Sequence, residues 1–147
     1  MEQTALDERL RSADIIVSSP YTRALQTAHI ISYYTGVKVV VESKLHEWQP
    51  DLTNQYKSVT EVIALKDEFV KFQGVCPEGK NTRWETLEHM QNRMRQVANK
   101  YANFERVIIV GHGMSLRTLT YIEELKPAGI VEFDYKMGQP NCKYSFY

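Results

Sequence analysis

Short β-branched runs, each followed by a segment that favours a helix, constrain this 147-residue chain most strongly. The run at residues 15–17 precedes an amphipathic stretch that ends at Gly36, and the run from Val107 to Val110 precedes the segment 114–125, which has helical spacing. Strands that alternate with helices favour a mainly parallel sheet with helices on both faces. A chain of 147 residues is long enough to bury one hydrophobic core. We therefore predict a single α/β domain over residues 1–147.

The remaining segments fill in this pattern. Apolar residues at helical spacing predict helices, whereas β-branched residues or aromatic alternation predict strands. The predicted helices are residues 2–12, 58–72 and 82–101, the predicted strands are residues 37–42 and 142–147, and the loops between them are residues 43–56 and 73–81.

The charge balance limits the classes of partner. Eighteen basic side chains match eighteen acidic ones, so no overall field attracts nucleic acid or an anionic membrane surface. The apolar runs have strand length, the amino terminus lacks a signal pattern, and the two cysteines match no metal or redox spacing. We expect a cytoplasmic protein that binds neither nucleic acid nor membrane and recognises any anion locally.

The first candidate site is the turn after residues 15–17, because ligands of parallel sheets bind beyond the carboxyl ends of the strands. Ser19 and Pro20 are predicted to cap the next helix, which leaves free backbone amides at its amino end. Arg23 lies in the first turn, where a cation needs a compensating anion, and a guanidinium suits phosphate. A solvated surface arginine is equally compatible with these residues.

The second candidate site is the turn Gly111-His112-Gly113-Met114, again at the carboxyl end of a strand. The two glycines allow the backbone to approach a ligand closely, and we expect the histidine between them to be exposed. A tight turn with an incidental histidine is as compatible with this short pattern as a functional site is.

The third candidate is Glu47 in the irregular segment Leu45-His46-Glu47-Trp48. A carboxyl group that an adjacent aromatic ring shields from water suits a general acid. The residue type and its polar surroundings favour a solvated glutamate when they are considered alone.

Together these motifs resemble the histidine phosphatase superfamily, of the phosphoglycerate-mutase-like kind. The resemblance covers nearly the whole chain in the order of the family's motifs. It rests on residues 18–20 (Ser-Ser-Pro), 23–28 (Arg-Ala-Leu-Gln-Thr-Ala), Leu45 with Glu47, 77–84, 110–113 (Val-Gly-His-Gly) and 140–142 (Pro-Asn-Cys).

The resemblance implies a phosphate pocket that acts on a small phosphomonoester and needs no metal or cofactor. Arg23 would clamp the phosphoryl oxygens, with further contacts from Ser19, Gly113 and Met114. His112 would stabilise the phosphoryl group during transfer, and Glu47 would give a proton to the leaving oxygen. Such preorganised donors are the main requirement of phosphoryl transfer.

The chain departs from the family at its catalytic histidine. The family opens with a strand that ends in Arg-His-Gly, and none of the histidines here (His29, His46, His89 and His112) follows an arginine. We therefore expect a domain truncated at its N-terminus, with a second truncation at its C-terminus left open. That missing strand lies inside the family's sheet, so its absence should leave an unpaired strand edge.

Several functions remain open from the sequence. A phosphatase is favoured over a mutase because residues 73–81 are short and offer only Lys80 to hold a doubly charged intermediate. The alternatives are a non-catalytic protein that binds a phosphorylated ligand, and an interaction protein that pairs through its sheet edge with a partner or in a homodimer. In each case the 147 residues alone should show little or no hydrolysis.

Overall fold

The computed structural model describes residues 2–146, with the exception of the side chain of Glu2. Its helices are α1 (Glu2–Ala5), α2 (Glu8–Arg11), α3 (Thr22–Thr35), α4 (Val59–Lys71), α5 (Leu87–Lys100) and α6 (Gly113–Leu116), and its strands are β1 (Ile15–Ser18), β2 (Val39–Val41) and β3 (Val107–Val110). Ser43–Leu45 forms a single 3-10 turn. The strands form one parallel sheet in the order β2-β1-β3, which confirms the predicted α/β class.

Helices cover both faces of this sheet. On one face, Ile16 and Val110 pack with apolar side chains of α2 and α3, among them Leu10 and Ala28. On the other face, Ile15 and Val17 pack with Met94, Val97 and Ala98 of α5. Strands buried on both faces have continuous β-branched sequences, which is why β1 has no polar alternation.

Helix α3 begins later than the sequence predicts. Its N-cap is Tyr21 and not Ser19, and Ser19 is fully buried in the turn that joins β1 to α3. The helix ends where predicted, because Gly36 adopts the left-handed conformation with φ 73° and donates its N–H to the Ser32 carbonyl.

Two other predicted helices are interrupted by local capping. The helix predicted over residues 2–12 is two short helices, because the Asp7 carboxylate accepts the Arg9 N–H and starts α2. The helix predicted from residue 82 begins at Leu87, where the Thr86 hydroxyl accepts the His89 N–H. Residues 82–86 are irregular and contain the fully buried Trp84 and Glu85.

The prediction for the segments that follow β3 was wrong in extent or in type. The helix predicted over residues 114–125 ends at Leu116, and the Thr118 hydroxyl donates to the Ser115 carbonyl, a local bond that competes with helix continuation. Residues 142–146 form no strand, and the rest of that prediction, residue 147, lies outside the described residues. Tyr144 and Phe146 instead pack their rings against Phe69.

The outer edge of β3 is open in the described part of the chain. Strand β3 pairs with β1 alone, and Val107, Ile108 and Ile109 are only half-buried. A cavity of about 910 Å³ runs along this edge, between β3 and residues 125–136. No helix within residues 2–146 has the length and apolar character needed to cross a membrane.

Candidate functional site

His112 lies at the carboxyl end of β3 and is the N-cap residue of α6. It is buried, with 6% of its surface exposed, so the expectation of an exposed histidine was wrong. The close packing of this turn explains the glycine before it, because a Cβ on Gly111 would lie 3.2 Å from Leu116 Cδ2. Burial at a strand end places the imidazole inside the crevice.

Both ring nitrogens of His112 have partners from the other candidate turn. Nε2 lies 2.7 Å from Ser19 Oγ, and Nδ1 lies 3.3 Å from Arg23 Nη2. Because a guanidinium can only donate, Nδ1 accepts, and the proton of the neutral ring is on Nε2 and points to Ser19. The structure thus joins Ser19, Arg23 and His112, which are 93 residues apart at most.

The surroundings of His112 favour its neutral form. Burial lowers the pKa of His112 below its ordinary value, and the positive charges of Arg23, His46 and Arg93 act in the same direction. The Glu47 carboxylate is the one opposing influence among the main causes. A bound anion would oppose the same effects, because negative charge stabilises the imidazolium.

Arg23 keeps its charge available although it contacts His112. Its guanidinium carbon lies 5.4 Å from the centre of the exposed Tyr21 ring, and the Tyr21 ring centre is 4.9 Å from that of His112. Among the described side chains, those of residues 3–146, no carboxylate lies at ion-pair distance from Arg23. An anion at this point would therefore meet an uncompensated guanidinium.

Glu47 lies in the irregular segment after the 3-10 turn and is half-buried, so it is not a solvated surface glutamate. Its Oε1 accepts N–H groups of Trp48 (2.8 Å) and Ser115 (2.9 Å), and its Oε2 accepts that of Met114 (3.1 Å). These bonds place the carboxylate at the amino end of α6, next to His112. The Met114 amide, a predicted phosphate contact, is occupied by Glu47 in this arrangement.

Four of the candidate residues share one cavity, whereas Ser19 and Met114 do not line it. Arg23, Glu47, His112 and Gly113 line the end of the cavity that continues along β3. Around His112 the arrangement brings together a guanidinium, an imidazole N–H that points to Ser19, a serine hydroxyl and the Glu47 carboxylate. Such a set can bind a tetrahedral anion and exchange a proton with it.

Two functional candidates were missed by sequence reasoning. Glu85 is fully buried, and Arg93 is 5% exposed on the apolar face of α5, between Met90 and Met94. A charged residue on the buried stripe of an amphipathic helix was the available signal. Both side chains bond to the segment that carries Glu47.

Metal binding has no apparent candidate in the described residues. Among the side chains of residues 3–146, no three histidine, cysteine, aspartate or glutamate groups lie together so that they could hold a metal ion.

Comparison with known proteins identifies the family of the chain. The family model of the histidine phosphatase superfamily (branch 1) matches residues 2–145. A Hydrogenobacter thermophilus protein named "Putative phosphoserine phosphatase 2" is 28% identical over 111 residues, which are 74% of this chain and 55% of that protein.

Solved structures share the fold. Mycobacterial glucosyl-3-phosphoglycerate phosphatase in complex with inorganic phosphate has a TM-score of 0.56 and 22% identity, over 78% of this chain and 61% of that one. The α-ribazole phosphatase of Shigella flexneri has a TM-score of 0.53 and 17% identity, over 80% and 62% of the two chains. The chain therefore spans between 55% and 62% of the length of these relatives. It belongs to branch 1 of the histidine phosphatase superfamily.

Proposed function

We propose that this chain forms the phosphate pocket of a phosphatase that acts on small phosphomonoesters. The observation that carries the proposal is the His112 imidazole, buried between the Ser19 hydroxyl and the Arg23 guanidinium. Family membership supports it, as do similar proteins that are named as phosphatases of phosphoserine, glucosyl-3-phosphoglycerate and α-ribazole phosphate esters.

In this proposal the phosphoryl group enters between α3 and α6. Arg23 turns its fork from Nδ1 of His112 to two phosphoryl oxygens, since a guanidinium binds such oxygens in pairs. The Ser19 hydroxyl donates to a remaining oxygen, and the Nε2–H of His112, which points to Ser19 in the structure, turns to another. The N–H groups of Gly113 and Met114 complete the pocket once Glu47 has released the Met114 amide.

Glu47 is the proposed proton donor to the leaving oxygen. Its carboxylate lines the same cavity and is held by the backbone amides of Trp48 and Ser115, which fix its direction. A positioned acid of this kind adds about 10² to 10⁴ in rate when it protonates a poor leaving group.

The nucleophile is the part of the proposal that these 147 residues do not contain, because no Arg-His-Gly sequence occurs among them. We assign it to a strand that pairs in parallel with the open edge of β3 and ends beside His112. The cavity along that edge has room for an extended segment. On this basis the chain alone binds phosphate and hydrolyses phosphomonoesters very slowly.

A phosphatase fits better than a mutase. A mutase must retain a phosphorylated intermediate, which calls for several cations over the pocket. The loop at residues 73–81 supplies Lys80 only, and the Lys80 ammonium lies 6.0 Å from the centre of the Phe72 ring.

The second candidate function is binding without turnover, through the phosphate pocket or through the edge of β3. The specific observation in its favour is the open edge itself, which offers unpaired backbone groups to a partner strand or to a second copy of the chain. Sedimentation across a range of protein concentrations distinguishes the homodimer, since its mass would rise with concentration.

Hydrolysis of a generic aryl phosphate tests the proposal. The chain, with its ends verified by intact mass, is assayed beside His112→Ala and beside a version extended by an Arg-His-Gly strand. Activity that appears only with the added strand and disappears again with His112→Ala is expected. Robust turnover by the 147 residues alone, abolished in His112→Ala, would make His112 the nucleophile and overturn the proposal; an extended chain that binds phosphate but stays inactive would favour the non-catalytic alternative.

A further inference from the structure

One buried ion pair, formed by Arg93 and Glu85, makes hydrogen bonds to the segment that carries Glu47. Arg93 Nε lies 2.6 Å from Glu85 Oε2, and Arg93 Nη2 lies 2.9 Å from Glu85 Oε1, so the guanidinium and the carboxylate meet in parallel. Burial alone raises the pKa of Glu85, but the hydrogen bond and charge of Arg93 outweigh it, and the net pKa lies below its ordinary value. Both groups are therefore charged inside the protein.

The remaining donors of Arg93 bind backbone carbonyls of residues that precede Glu47. Its Nη1 donates to the Lys44 carbonyl at 2.6 Å and to the His46 carbonyl at 2.8 Å. One planar group thus fixes two carbonyls, the first in the 3-10 turn and the second in the irregular segment that follows it. A lysine ammonium at this place would keep the charge but could not reproduce the fork.

Glu85 binds the residues of the same segment that follow Glu47. Its carboxylate accepts the Gln49 N–H at 3.3 Å, its backbone N–H donates to the Gln49 carbonyl at 2.9 Å, and its carbonyl accepts the Trp48 indole N–H at 2.8 Å. His89 approaches the carboxylate from the exposed side, with Nδ1 2.6 Å from Oε2. Residues 44, 46, 48 and 49 are thus held by hydrogen bonds to Arg93 or Glu85. Glu47 lies between them, and its carboxylate points toward α6.

A buried ion pair is poor evidence of stability by itself, because apolar side chains of similar size often stabilise a core as well or better. The convergence of its hydrogen bonds on four residues around Glu47 is a more specific feature. We infer that Arg93 and Glu85 are positioning residues, which hold the Glu47 carboxylate beside His112. The inference rests on the proposed function in taking Glu47 to act in the site.

The titration of His112 without any phosphate reports where the Glu47 carboxylate lies. The charged groups that act on His112 are Glu47, which raises its pKa, and Arg23, His46 and Arg93, which lower it. Glu47→Gln should therefore lower the His112 pKa. Arg93→Lys keeps a positive charge on α5, so its effect on His112 comes mainly from movement of Glu47.

The experiment follows the His112 imidazole signal by NMR across pH in four proteins: the parent chain, Glu47→Gln, Arg93→Lys and the double variant. We expect Arg93→Lys to lower the His112 pKa as Glu47→Gln does, and the double variant to match Glu47→Gln alone. Arg95→Lys is the matched control on the same helix, since Arg95 bonds to Asn141 and Gln139 away from the site. It should leave the titration unchanged.

Unfolding gives a different signal. It would move the His112 pKa up toward the value of an unfolded histidine, because burial lowers it in the folded chain. If Arg93→Lys unfolds, Glu85→Asp, which keeps the negative charge but shortens the side chain, replaces it with the same expectations. A folded variant with the parent's His112 pKa, a double variant whose pKa falls further than that of Glu47→Gln, or unfolding of both replacements would overturn the inference. Since no phosphate is present, a failure of the phosphatase proposal leaves these outcomes unaffected.

Discussion

Burial of His112 makes the stability of the chain sensitive to pH. Its pKa is lowered in the folded protein, so the unfolded chain takes up the proton first as pH falls. The free energy of unfolding therefore decreases as pH falls from about 6.5, the ordinary histidine value, and levels off below the folded pKa.

The prediction compares His112→Gln with the parent chain. Urea unfolding between about pH 7 and pH 5 should show a shallower loss of stability in His112→Gln, because that variant lacks the buried group that must be protonated. His29→Gln is the control, since His29 is exposed on α3 and should leave the slope unchanged. Equal slopes in His112→Gln and the parent would contradict the assigned burial.

Individual site residues were partly predictable from the sequence. Arg23, His112 and Glu47 stand out because each follows a strand or lies in an irregular segment near one, and the residue types suit phosphate. The burial of His112 and the bonds of Glu47 to Ser115 could not be predicted, since they join turns that are 68 residues apart. No local pattern encodes such a contact.

At the scale of the elements, two glycines that follow helices adopt the left-handed conformation under different packing. Gly36 has φ 73°, and a Cβ at that residue would have no atom within 4 Å, whereas a Cβ on Gly74, also at φ 73°, would lie 2.5 Å from Leu87 Cβ. Gly74 also accepts the Leu87 N–H and donates to the Phe69 carbonyl, so it joins α4 to α5.

We predict that Gly36→Ala lowers the free energy of unfolding by about 1 to 2 kcal/mol, the cost of a left-handed L-residue. Gly74→Ala should lower the free energy of unfolding by about 1 to 3 kcal/mol more than Gly36→Ala does, because the added methyl also crowds Leu87. Urea unfolding of the two variants side by side measures the difference. Equal losses would show that α5 can shift away from Gly74 without cost.

Elements with strong local patterns were predicted well, and elements set by distant contacts were not. Strand β3 was predicted with its observed bounds because four consecutive β-branched residues leave little choice. Residues 82–86 were assigned to a helix, yet the backbone N–H of Glu85 donates to the Gln49 carbonyl instead. That bond depends on the buried position of the Glu47 segment, which local periodicity does not encode.

At the scale of the whole molecule, the parallel sheet is what brings the site together. The carboxyl ends of β1 and β3 are neighbours, so the turns that follow them place Ser19, Arg23 and His112 within hydrogen-bond distance. The same topology leaves the outer edge of β3 open beside His112 in the described residues. The proposed binding pocket and the open edge beside it therefore follow from one arrangement of strands.

The central claim is that Arg23 and His112 bind a phosphoryl group together. NMR titration of the His112 imidazole with and without inorganic phosphate tests it most directly. We predict that phosphate raises the His112 pKa, because a bound dianion stabilises the imidazolium, and that Arg23→Met greatly weakens this effect while Arg95→Met preserves it. A His112 titration that is identical with and without phosphate, at the highest concentration that leaves the protein folded, would contradict the claim.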